Sequence, residues 1–66
     1  MKLYEYAIIL HPTESEAEDG KKSEIVVDVS RVLAGNEREA MMHASRAIPA
    51  EFENRLDQLE IAIRPF

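Results

Sequence analysis

Apolar and aromatic side chains crowd the start of the chain, where Leu3 to Leu10 reads LYEYAIIL. Aromatic and β-branched residues suit a pleated, half-buried surface, so this segment predicts an N-terminal strand. The pattern breaks at His11. From there to Lys22 the chain reads HPTESEAEDGKK, with Pro12, the pair Asp19-Gly20 and no hydrophobic residue beyond Ala17, which predicts a flexible acidic loop over 11–22. Ser23 to Leu33 (SEIVVDVSRVL) then alternates, with Ile25, Val27 and Val29 on one side and Glu24, Val26, Asp28 and Ser30 on the other. That period of two predicts a second strand, joined to the first by the loop as a long hairpin.

Gly35 and Asn36 end this strand, and Asn36 followed three residues later by Glu39 has the spacing of a helix N-cap with a capping-box partner. Ala40, Met41, Ala44, Ala47 and Ile48 recur at helical spacing, while Glu37, Arg38, His43 and Arg46 fall elsewhere on the wheel. One face of this helix is built to lie on a sheet. Pro49 removes a donor and disfavours the helical region for Ile48, so the helix should stop or kink there. A new turn beginning at Pro49, with Glu51 and Glu53 near its positive end, would point Phe52 and Leu56 at the core. Gln58 to Arg64 alternates once more, Leu59, Ile61 and Ile63 against Gln58, Glu60, Ala62 and Arg64, and Pro65 closes this third strand.

The order strand, strand, helix, strand predicts an α+β domain over 1–66: a three-stranded, mainly antiparallel sheet with one helix packed on one face. Strand order 2-1-3 is preferred to 1-2-3, because it centres the most hydrophobic strand and avoids an exposed parallel pair at the edge. One face of the sheet is then left without a cover. If Tyr4, Tyr6, Ile8 and Leu10 face the helix, the uncovered side carries Leu3, Glu5, Ala7 and Ile9, with Val26, Asp28, Ser30 and Val32 of the second strand and Ala62 among the residues of the third. Leu3, Glu5, Ala7, Ile9, Val26, Val32 and Ala62 are therefore the candidate interaction face, in competition with an ordinary half-polar sheet back.

Size sharpens the question of that face. At 66 residues without a cysteine, the chain lies below the roughly 70 to 80 residues at which a core suffices without a staple. Disulfides are excluded, and His11 and His43 belong to no spaced set of metal ligands. Self-association or a protein partner is the remaining support. Thirteen acidic residues against eight basic ones give a formal charge of −5, which opposes phosphate backbones and anionic headgroups, so neither nucleic acid nor membrane is an expected partner. The N-terminus shows no signal-peptide pattern, and a cytoplasmic, reducing location is expected.

No constellation spells out a reaction or a cofactor. Glu14, Glu16, Glu18 and Asp19 cluster, but without the spacing of a calcium loop, and they read as a solvated loop. His11 could act as a base oriented by Asp28 or Glu5, yet no serine, cysteine or threonine sits in a nucleophile motif. Tyr4 and Tyr6, two apart on a strand, have the spacing of a base-stacking platform; with Glu5 between them and a net negative charge they read as packing residues. Of the adjacent Met41 and Met42 only one can be buried, and Phe66 is expected to pack against Met1 or Leu3.

LYEYAIIL at the start, RAIP after the helix and LDQLEIAIRPF at the end resemble small uncharacterised proteins encoded by tailed bacteriophages. The resemblance spans nearly the whole chain outside the acidic loop and contains no chemical motif. It implies a phage origin, with the host cytoplasm or the virion as location, and a virion accessory component or a binder of a host or phage factor. The expected function is a non-enzymatic, self-associating interaction module; the alternatives are a decoration protein and a ligand-binding or enzymatic domain with its site between subunits.

Overall fold

The most hydrophobic segment of the chain becomes the middle of a three-stranded antiparallel sheet. A computed structural model describes all 66 residues. β1 (Lys2–Leu10) is the central strand, flanked by β2 (Glu24–Ala34) and β3 (Leu59–Pro65) in the order β2-β1-β3. Both neighbours run antiparallel to β1, so they are parallel to each other across it. Between β1 and β2 lies a short helix, α1 (Glu14–Glu18); between β2 and β3 lie the main helix, α2 (Glu37–Arg46), and a 3₁₀ segment over Ala50–Gln58. The fold is α+β in the predicted strand order.

α2 begins where its cap predicts. The Asn36 side-chain oxygen accepts from the Glu39 N–H at 2.9 Å, and the Glu39 carboxylate reaches back to accept from the Gly35 N–H at 2.9 Å. The two orphan donors are satisfied reciprocally, as in a capping box displaced by one residue. The helix ends at Arg46, with Ala47 as its C-cap. Ala40 and Ala44 are fully buried, and the short side chain of Ala40 lets α2 lie close on the sheet, against Tyr4 and Ala34. Ala47 and Ile48 are half-buried, and Met41 stands at the margin of the stripe.

Three expectations change. The acidic connector 11–22 is not an irregular loop: Thr13 caps α1, its hydroxyl accepting from the Glu16 N–H at 3.2 Å while the Glu16 carboxylate accepts from the Thr13 N–H at 3.0 Å. Gly20, with φ +89°, then takes the left-handed position that ends such a helix. Leu56 is exposed rather than in the core, because the segment after Pro49 is 3₁₀ rather than α and is broken at Arg55 (φ −130°). Three residues per turn put positions four apart on different faces, so Phe52 is half-buried and Leu56 is not.

The third correction concerns β2. Tyr6 pairs with Ser30 but Ile8 pairs with Val27, and Ile9 with Ile25, so β2 carries one extra residue in each of two successive steps. These are β-bulges, and each one reverses the face on which the following side chains stand. Their local cause is visible at the first: Asp28 Oδ1 accepts from the Val29 N–H at 2.8 Å and the Ser30 hydroxyl donates to the Asp28 carbonyl at 3.0 Å, diverting backbone groups from the ladder. Val32, opposite Tyr4, packs on the helix side against Tyr4, Ala34 and Ala40 and not on the uncovered face. Ser30, opposite Tyr6, is on the helix side too. Val26 is the unpaired residue of the second bulge and is half-buried.

Candidate functional site

The side of the sheet away from α2 is an ordered array of side chains, readable row by row from the pairing. At the end where the chain starts, Leu33 of β2 and Leu3 of β1 lie side by side, and Phe66 joins them through a hydrogen bond from its N–H to the Leu3 carbonyl at 2.8 Å. The next row is Arg31, Glu5 and Arg64. Ala7 and Ala62 form a third row, with Val29 of the bulge beside them. Ile25, Ile9 and Glu60 form the fourth.

Leu3, Glu5, Ala7, Ile9 and Ala62 thus stand where the alternation of β1 and β3 places them, and Val32 does not. Ile25, Val29 and Leu33 take its place on this face: Leu33 pairs with Leu3 and Ile25 with Ile9, the two bulges between them cancelling so that only Val27 is turned to the helix side. They are 66 %, 60 % and 58 % exposed, and Phe66 is 64 % exposed. Four large apolar residues therefore stand in solvent on one face of a 66-residue chain. Asp28 and Ser30 inside an otherwise β-branched run are the signal for the bulge that turns Val27 to the helix side, since both residue types compete locally for backbone partners.

Charge on this face is internally matched. Glu5 is 13 % exposed and sits between two arginines, its carboxylate 3.1 Å from Arg64 Nη2 and 3.7 Å from Arg31 Nε. Arg31 also spans β1 to place its guanidinium 4.2 Å above the Phe66 ring. This cation–π contact fixes the C-terminal residue over the sheet. Below the arginine row the short side chains of Ala7 and Ala62 leave a depression of about 250 Å³, walled by Val29, Glu5 and Arg64. The face thus combines an apolar border, a charge row in which one carboxylate is shared by two guanidiniums, and a shallow hollow.

At the opposite end of the strands the structure brings together residues that stand far apart in the sequence. His11 Nδ1 lies 2.7 Å from the Ser23 hydroxyl and His11 Nε2 lies 2.6 Å from the Glu60 carboxylate. Neither Asp28 nor Glu5 is its partner. Serine, imidazole and carboxylate in a row evoke a hydrolytic triad, but none of the three lines either depression of the surface. Instead the contacts tie the exit of β1 to the entrances of β2 and β3.

Glu16 does similar work from α1. Its Oε1 accepts from the Gln58 side-chain amide at 3.0 Å, and its Oε2 lies 3.6 Å from both Arg55 Nη2 and Lys21 Nζ. The Thr13 N–H, and after it the Gln58 amide and the Arg55 charge, hold the Glu16 carboxyl below its ordinary pKa of 4.5 against the opposing effect of desolvation. The acidic residues of the connector therefore do not converge on a common point; Glu16 turns toward the 3₁₀ segment while Glu14, Glu18 and Asp19 are exposed.

His43 is exposed on α2, as is Met42. No helix is long and apolar enough to cross a membrane. Comparison with protein-family models, curated proteins and solved structures finds no match to this chain.

Proposed function

We propose that this chain is a non-enzymatic, self-associating protein–protein interaction module that presents the uncovered sheet face to a protein partner. One observation carries the reading. The accessible surface is 4848 Å², whereas a compact monomer of this mass exposes about 4250 Å². The excess, roughly 600 Å², approaches the share of about 800 Å² that one partner contributes to a standard interface. Shape agrees: the radius of gyration is 13.1 Å and the extents are 43 × 20 × 15 Å, against about 11 Å for a compact chain of this length. Only 6 of 66 residues are buried, so the flat shape leaves a thin core with one side open.

The composition of the face supports protein over other partners. Leu33, Phe66 and Ile25 supply apolar area, while the Arg31–Glu5–Arg64 row adds polar groups at fixed positions and little net charge, the mixture typical of transient interfaces. The particular setting we propose is that of a phage-encoded accessory component of a virion, which mass spectrometry of purified particles would detect. The general test is capture by the tagged chain. A partner bound by the native protein should be lost by the double variant Ile25→Ser/Leu33→Ser, which alters only exposed positions; undiminished capture by that variant would exclude this face as the working surface.

A further inference from the structure

The two edges of the sheet differ in their openness to another strand. β2 is interrupted by its two bulges, a device that turns an exposed edge away from other chains. β3 has no such protection: its register against β1 is unbroken from Leu59 to Pro65. The bonds that close the two ends of that ladder run from His11 N to Gln58 O and from Phe66 N to Leu3 O, each 2.8 Å. They establish that the even-numbered residues of β3 turn their backbone groups toward β1. Alternate residues of an antiparallel strand then turn theirs away, so Leu59, Ile61, Ile63 and Pro65 face the outer edge.

Of those residues, Leu59 has its N–H bonded to the Leu56 carbonyl, and proline has no N–H to offer. Two outward donors remain, Ile61 and Ile63, placed symmetrically about Ala62. The side chains repeat this symmetry. Glu60 and Arg64 stand at equal distance from Ala62 on the uncovered face, both exposed and of opposite charge.

We propose that two copies of the chain pair along β3, antiparallel about a two-fold axis at Ala62, into one six-stranded sheet. Ile61 N–H then donates to the carbonyl of the partner's Ile63, and Ile63 N–H to the carbonyl of the partner's Ile61, which satisfies every outward donor of the edge. Glu60 faces the partner's Arg64 across the strand pair, the arrangement in which opposite charges attract. Ala62 faces the partner's Ala62 in the narrow, non-hydrogen-bonded position, where Cα atoms approach to about 4.5 Å and short side chains fit. Because the axis is perpendicular to the sheet, both copies of α2 lie on one side. The two uncovered faces join on the other into a single surface of twice the width.

This inference rests on the self-association proposed above and specifies its interface. Chemical synthesis of the chain with an N-methyl group on Ile61 removes one outward donor without touching the bonds to β1 or any side chain. Sedimentation equilibrium should show a native dimer whose dissociation constant rises roughly 30-fold or more on methylation, two hydrogen bonds being lost per dimer, with an unchanged circular dichroism spectrum. Mixed labelled and unlabelled native protein should give an intermolecular Overhauser contact between the Hα protons of Glu60 and the partner's Arg64. A native dimer that lacks this contact and persists after methylation, but dissociates on Leu33→Glu, overturns the edge pairing and leaves self-association intact. A native chain that stays monomeric to millimolar concentration overturns both.

Discussion

Neighbouring residues Val32 and Leu33 offer a sharp test, because the face expected for β2 from its sequence and the face set by its pairing with β1 assign them opposite roles. In the structure Val32 is about two-thirds or more buried against Tyr4, Ala34 and Ala40, and Leu33 is 58 % exposed beside Leu3. Val32→Ala removes two methyl groups. At about 0.8 kcal/mol for each buried carbon, discounted for partial exposure and with a small cavity term added, the cost is roughly 1 to 1.5 kcal/mol. For a chain of this size, whose whole stability is on the order of 3 to 10 kcal/mol, that is a large fraction. It corresponds to a fall in Tm of roughly 5 to 10 °C. Leu33→Ala, although it removes more carbon, should stay within about 0.5 kcal/mol, as exposed substitutions do. Urea unfolding followed by circular dichroism, at concentrations below any association, measures both. If Leu33→Ala proves the more damaging of the two, the register of β2 on β1 is wrong and the composition of the uncovered face is wrong with it.

Three further outcomes follow from local geometry. Gly20→Ala should cost about 1 kcal/mol purely through its backbone, since φ is +89° and a Cβ there would meet nothing within 4 Å; an unchanged urea midpoint would contradict that conformation. Asn36→Ala should cost about 1 kcal/mol by removing the acceptor that caps α2 at 2.9 Å, and Asn36→Asp should recover most of it. The Glu16 carboxyl has its pKa lowered in the folded chain, so its contribution to stability is complete above the ordinary value of 4.5 and is lost as pH falls below it through the folded value. Unfolding midpoints measured from pH 6 downward should therefore show an acid-dependent loss that is smaller in Glu16→Gln, and identical slopes for the two proteins would rule out the network around Thr13, Gln58 and Arg55.

What could be read from the sequence was whatever is decided locally. β1 announces itself by composition, α2 by Asn36 and Glu39 at cap spacing, and β3 by a clean alternation that the structure keeps from Leu59 to Arg64. Strand order followed from asking which strand could best be buried. The same local rule applies to Thr13 and Glu16, which have the spacing of a capping box and form one. The face of β2 is a different matter. Val27 and Val32 share the helix side although five residues apart, because the one bulge between them displaces the pairing, and only the partner strand determines where such displacements fall. The gathering of His11, Ser23 and Glu60 is equally non-local, joining three strand ends from across the chain.

Placement on the uncovered face was thus legible for Leu3, Glu5, Ala7, Ile9 and Ala62, which lie on strands that pair without a bulge of their own. It was not legible for Ile25, Val29 and Leu33, whose exposure makes the face more apolar than alternation predicts. That difference bears on function, because an uncovered face lined by Val26, Asp28, Ser30 and Val32 would have been half polar. The one the structure builds leaves Ile25, Val29, Leu33 and Phe66 in solvent around the Arg31–Glu5–Arg64 row.

The claim that unites these observations is that a chain with so thin a core and so large a surface completes itself by association. Sedimentation equilibrium of the 66-residue protein from micromolar to millimolar concentration tests it directly. The account predicts a mass that climbs with concentration from the 7.5 kDa of one chain toward twice that value. A mass fixed at that of one chain throughout, with a cooperative unfolding transition independent of concentration, would contradict it.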